Sequence, residues 1–231
     1  MKNIFATTFL LSAALSSASH AYPKDFSGPF VMGSLGGNYA SVGASAFTAG
    51  GVPLPSGNTT NSGGGISGGI AGGYLHKFST SFPLHVGGKI GTSLSSASGS
   101  EKTTGKMGGN STTAKHKFSS PHAFQSALLV GYPITNTIMP FVLIGWENAL
   151  WKHKVTTDMA GTGTAKSSNR QNALLVGGGA LKKVSQNASV GLMYEGSFHF
   201  DKQKSKGGGV TANHKNAQNH KFMTVLMWTF K

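Results

Sequence analysis

Large apolar residues recur at every second position along much of this chain. Residues 188–200 show it plainly: Val190, Leu192, Tyr194, Phe198 and Phe200 fall on one face, and Ser189, Gly191, Met193, Glu195, Ser197 and His199 on the other. The last residues, 221–231, repeat it, with Phe222, Thr224, Leu226, Trp228 and Phe230 opposed to Met223, Val225, Met227 and Thr229. Further stretches of period two predict strands over 30–42, 64–78, 84–94, 118–132, 138–151 and 171–181, eight in all. The facing of 171–181 is ambiguous, because both parities carry leucine.

The connections alternate strictly in length. Residues 44–62, 95–116, 152–168 and 201–219 read as long loops, and 79–82, 133–137 and 182–187 as short turns. In an antiparallel sheet this gathers all long loops at one end and the short turns and termini at the other. A chain finishing on an apolar strand leaves an edge that must pair or aggregate. The first strand is the nearest partner, and a sheet closed on itself is the β-structure that can cross a bilayer. The prediction is an all-β, eight-stranded antiparallel transmembrane barrel with four long outer loops and three short periplasmic turns. Tyr132, Trp146 and Trp228, near strand ends, suit membrane interfaces. The opposite face carries Gly, Ser, Ala and occasional charge, which suggests a narrow polar interior. A soluble barrel would turn its large apolar residues inward.

The N-terminus changes where such a barrel belongs. Lys2, an apolar run to Leu15 and the small residues Ser19 and Ala21 predict a secretory signal peptide over 1–21, with the barrel over 22–231. The chain has no cysteine, which excludes disulfides, thiolate metal sites and cysteine nucleophiles. Twenty Lys and Arg against six Asp and Glu give a net charge of +14. Polyanions are therefore expected neighbours. For an exported chain these are lipopolysaccharide phosphates or host surface polyanions rather than nucleic acid.

Gly177-Gly178-Gly179-Ala180-Leu181, the turn Ser185-Gln186-Asn187, Val190-Gly191-Leu192-Met193-Tyr194-Glu195 and Val225-Leu226-Met227-Trp228-Thr229-Phe230 resemble the small eight-stranded outer-membrane barrels of the OmpA/OmpX or porin-like type. The resemblance implies a monomer in a Gram-negative outer membrane. It also implies that Trp228 and Phe230 form an assembly signal for the barrel-assembly machinery. Here Lys231 follows the terminal aromatic.

Candidate chemistry is sparse. Glu195, Ser197 and His199 share a face but are spaced about 6.5–7 Å apart along a strand, too far for a working Ser–His pair. Lys89, Glu147 and Glu195 are the charges that alternation places inside, as a lumenal ion network or as a selectivity constriction. His-Lys recurs five times: His76-Lys77, His116-Lys117, His153-Lys154, His214-Lys215 and His220-Lys221. The last four border or lie in long loops and predict a basic, polyanion-binding rim. No metal site is expected, since each histidine is chained to a cation-repelling lysine and no acidic ligands accompany them. No cofactor motif occurs: the glycine runs precede no helix. The leading expectation is a structural or surface-interaction barrel without enzymatic activity. A narrow porin-like channel is the alternative, and a lipid-modifying enzyme the third.

Overall fold

Alternation continues well beyond the expected strand ends. A computed structural model describes residues 25–49, 52–54, 59–78, 83–107, 110–158, 163–201, 203–207 and 210–230. The strands are β1 (Gly28–Ala49), β2 (Val52–Leu54), β3 (Thr59–Lys77), β4 (His85–Ser95), β5 (Ser98–Met107), β6 (Asn110–Gly131), β7 (Ile138–Thr157), β8 (Thr164–Lys183), β9 (Ala188–His199), β10 (Gln203–Gly207) and β11 (Val210–Thr229). Eight of them form an antiparallel ring in the order β1, β3, β4, β6, β7, β8, β9, β11. It closes where β11 pairs with β1, from Phe30↔Thr229 to Ala49↔Val210. The short β2, β5 and β10 extend the outer wall. The signal peptide expected over 1–21 lies outside the described residues.

The four long connections are largely not loops. Residues 95–116, for example, form β5 and the start of β6, paired from Ser98↔Ser119 to Met107↔Asn110. Ser, Thr, Lys and Gly dominate these segments and suggest loops by composition. Yet alternating polar side chains pair as well as apolar ones where one face stays wet. With 22 residues, β6 spans about 70 Å, far more than an apolar belt of about 25 Å requires.

The belt is complete. Leu35, Ile70, Ile90, Leu128, Val142, Leu174, Leu192 and Leu226, one on each ring strand, point outward and are exposed. So much continuous apolar surface is untenable in water and natural in lipid. Tyr39, Phe124, Trp146 and Phe222 mark its outer side, and Tyr132, Trp228 and Phe230 its periplasmic side. Trp228 and Phe230 are about half exposed, and Phe230 N–H donates to Pro29 O at 2.8 Å across the closure.

The interior corrects the expected polar lumen. Its periplasmic half is an apolar core of Phe30, Met32, Leu129, Phe141, Leu175, Met223, Met227 and their neighbours. Methionine and phenylalanine from the inward parity fill the space that outward leucines leave to lipid. Inward glycine narrows the bore: a Cβ on Gly145 would stand 2.0 Å from Ser126 O of β6.

Candidate functional site

Above the apolar core lies a layer of buried charge. Lys89 of β4 donates to Glu195 Oε1 of β9. Lys221 of β11 lies 2.7 Å from Glu147 Oε2 of β7 and donates to Ser93 Oγ at 3.2 Å. Gln125 Nε2 joins the two pairs, at 2.7 Å from Glu147 Oε2 and 3.1 Å from Glu195 Oε2. The four ionisable groups are buried and balance in charge. Lys221, expected on the outer rim, belongs to this layer, because odd positions of this part of β11 face the bore.

Glu195, Ser197 and His199 all face the bore without forming a triad. Ser197 Oγ has no hydrogen-bond partner among the described residues. His199 Nε2 lies 3.7 Å from Glu147 Oε1 and accepts from Trp151 Nε1 at 3.4 Å. Trp151 and Phe118, both buried, with Ala149 and Ala217, cap the ion layer.

Beyond Trp151 comes a layer that the sequence reading did not assemble. His116 of β6, His153 of β7 and His214 of β11 are buried in the bore rather than displayed on a rim. Their rings stack, with centroids 4.1 Å apart for His153–His214, 4.7 Å for His116–His214 and 5.6 Å for His116–His153. Each offers a ring nitrogen within 4.8 Å of the others. Ser205 Oγ lies 2.9 Å from His214 Nε2 and 2.8 Å from Ser167 Oγ. Burial lowers the His116 pKa to about 4 and, with His116 alongside, that of His214 to about 3. His116 and His214 stand outside the membrane-spanning belt and are neutral at pH 7.

Two β-bulges bring the three together. On β6, Ser120 and Pro121 oppose the single Trp151 of β7, since the register passes from Ser119↔Lys152 to His122↔Leu150. On β11, Asn216 and Ala217 oppose the single Val42 of β1, between Gly43↔Lys215 and Ser41↔Gln218. Asn216 takes φ 53°, a left-handed conformation that asparagine tolerates better than most residues. Each extra residue exchanges the two faces of its strand. Odd positions face the bore below the bulges (Gln125, Lys221), and even positions above them (His116, His214). A uniform period of two cannot reveal this.

The same alternation puts the following lysines outside. Lys117, Lys154, Lys166 and Lys206 are exposed and directly opposite one another across neighbouring strands: Lys117↔Lys154, Lys154↔Lys166 and Lys166↔Lys206. The row continues into Ser100 and Thr211 and holds no carboxylate. Lys154 stands eight residues above Trp146, about 20 Å above the belt after allowing for strand tilt. His220 is half-buried on the outer face, 2.7 Å from Tyr194 Oη. The side chain of Lys215 lies outside the description. The expected rim therefore divides into an inner histidine layer, an outer lysine row and Lys221 in the ion layer.

No described family and no curated protein matches the sequence. Among solved structures, the chain is similar to the outer membrane protein OprG from Pseudomonas aeruginosa, with 11% identity over 91% of this chain and 99% of that one and a TM-score of 0.50. It is also similar to the outer membrane protease OmpT from Escherichia coli (12% identity, 88% and 97% covered, TM-score 0.47) and to Neisserial surface protein A (16%, 88% and 98%, TM-score 0.43). At these identities the likeness is one of fold. With a closed eight-strand ring, a belt that only lipid can solvate and OprG matched along nearly all its length, the chain has the fold of the small outer-membrane β-barrel proteins.

Proposed function

We propose that this barrel is a non-enzymatic, monomeric surface protein of the outer membrane whose outer wall binds polyanions, first of all the phosphate groups of lipopolysaccharide. In this reading the chain is exported after cleavage near Ala21 and inserted by the barrel-assembly machinery, with Trp228 and Phe230 as signal. The observation that carries it is the row Lys117–Lys154–Lys166–Lys206. Like charges directly opposite on neighbouring strands destabilise a sheet. Four in succession, with no carboxylate in the row, are relieved by an anion that spans them. Phosphates accept charge-assisted hydrogen bonds from such lysines, and the strand spacing of about 4.8 Å offers them a regular ladder. Host sulfated polymers share this chemistry and would use the same row.

Binding of purified lipopolysaccharide to the detergent-solubilised protein, measured at several salt concentrations, tests the reading. Affinity should fall as salt rises, and replacing the four lysines with Gln should lower it at least about tenfold and flatten the salt dependence. Unchanged binding in the quadruple variant would reject the lysine row as the site. The narrow-channel alternative has less support, because apolar, ionic and aromatic layers of side chains fill the bore.

A further inference from the structure

We infer that His116, His153 and His214 form a binding site for one borderline divalent transition-metal ion of the Zn2+ class, enclosed in the outer part of the bore. Three histidines from three different ring strands bring ring nitrogens within 4.8 Å of one another. Three neutral imidazoles with a fourth position left for water or an anion are a recurrent ligand set for Zn2+. The stacked rings would each turn about the Cβ–Cγ bond to aim a nitrogen at a common ion.

Several features go beyond a chance cluster. Both β6 and β11 carry a bulge without which His116 and His214 would face outward, leaving His153 alone inside. His214 Nδ1 is buried and has no hydrogen-bond partner among the described residues, while its Nε2 is held by Ser205 Oγ. A ligand imidazole fixed through its other nitrogen is the usual outer-shell arrangement. Asn61 Nδ2 lies 3.4 Å from His116 Nδ1, and rotating its carboxamide would let it serve either tautomer.

The lysines that follow His116 and His153 do not face the histidine cluster. Lys117 and Lys154 project from the opposite face of the wall, away from their histidine neighbours. Glu101, meanwhile, is the register partner of His116 on β5 and adds a carboxylate to this part of the wall. Trp151 and Phe118 lie below the histidines, and Ala114, Val155 and Ala212 are the next inward positions above, all buried. Such an enclosed ion would clamp β6, β7 and β11 and exchange slowly.

The test is titration of the untagged, detergent-solubilised protein with Co2+, read by its visible d–d absorption, followed by displacement with Zn2+. The site requires one equivalent, with intense four-coordinate bands that Zn2+ abolishes. His116→Phe, His153→Phe and His214→Phe retain an aromatic ring in the stack and should each weaken binding by about a hundredfold or more. Ser205→Ala should weaken it by about ten- to a hundredfold, through the outer shell. His220→Gln, on the outer face, should leave it unchanged. Circular dichroism of each variant verifies that the barrel is intact. Should a Phe variant not fold, the wild-type stoichiometry and the Ser205→Ala shift still decide. Absence of Co2+ binding at millimolar metal, or binding that His220→Gln weakens as much as His214→Phe, overturns the inference.

Discussion

Lys89 and Glu195 stand four strands apart whichever way the ring is followed, and their charged ends meet across the bore. The bore at this level is thus no wider than one lysine and one glutamate laid end to end. Removing one partner leaves the other charged and unpaired in a buried site, at a cost of about 3–5 kcal/mol. Lys89→Met alone should therefore lower stability to chemical denaturation by that order. The pair Lys89→Met with Glu195→Gln should cost less than the two single changes summed. Strict additivity would show that the charges do not interact.

The same geometry governs conduction. With Lys89, Lys221, Glu147, Glu195 and Gln125 joined in one layer above an apolar core, the protein in planar bilayers should show no steady single-channel current. Steady ohmic steps in the unmodified protein would favour the channel reading over the surface-interaction one.

Acid should loosen the outer wall. The folded-state pKa values of His116 and His214 lie below the ordinary 6.5, at about 4 and about 3. Between those values and 6.5 the unfolded hairpins bind more protons than the folded ones. Stability is therefore fully present above pH 6.5 and is lost as pH falls toward 4 and 3. Proteolysis of the outer hairpins in detergent should accelerate across this range, and His116→Phe with His214→Phe should flatten the response. By the same reasoning these two histidines add no charge to polyanion binding between pH 7.5 and 5.5. A binding increase there that vanished with His116→Gln and His214→Gln would contradict their burial.

The inward glycine of β7 makes a sharp steric prediction. A Cβ at Gly145 would lie 2.0 Å from Ser126 O and 2.5 Å from Ala127 Cα. Gly145→Val should prevent correct closure, seen as loss of the folded band in unheated electrophoresis. Gly33, whose added Cβ would meet nothing within 4 Å, should accept Ala.

At the closing strand, Phe230→Asp should reduce outer-membrane insertion more than Lys231→Asp. Phe230 is half exposed at the edge of the lipid belt, and its backbone completes the pairing with Pro29. Equal insertion of the two variants would separate assembly from this side chain.

The ring, its closure and the lipid-facing parity of β1, β6, β7, β9 and β11 were legible because period two and turn spacing are local signals that agree with one another. Interior composition was less so: Met32, Met193, Met223 and Met227 fall on the inward parity, but the Gly, Ser and charge around them there suggest a polar bore, and only the register gathers them into one apolar core. The histidine layer was hidden for a different reason. Two extra residues, near Pro121 and at Asn216, reverse the faces of β6 and β11, and bulges of this kind carry no distinctive sequence. Lys221 is a different case: it shares the inward parity of Met223 and Val225 below the bulge, and grouping it with the other His-Lys pairs overrides that parity.

Paired strands rather than loops at the outer end also change what any partner meets. Backbone already fixed by cross-strand hydrogen bonds has little conformational freedom left to surrender on contact. A ligand docking on this wall would spend little of its interaction energy on ordering the protein. Recognition there should resemble a rigid key surface, with association rates governed by charge steering and dissociation by how many lysines the ligand spans at once.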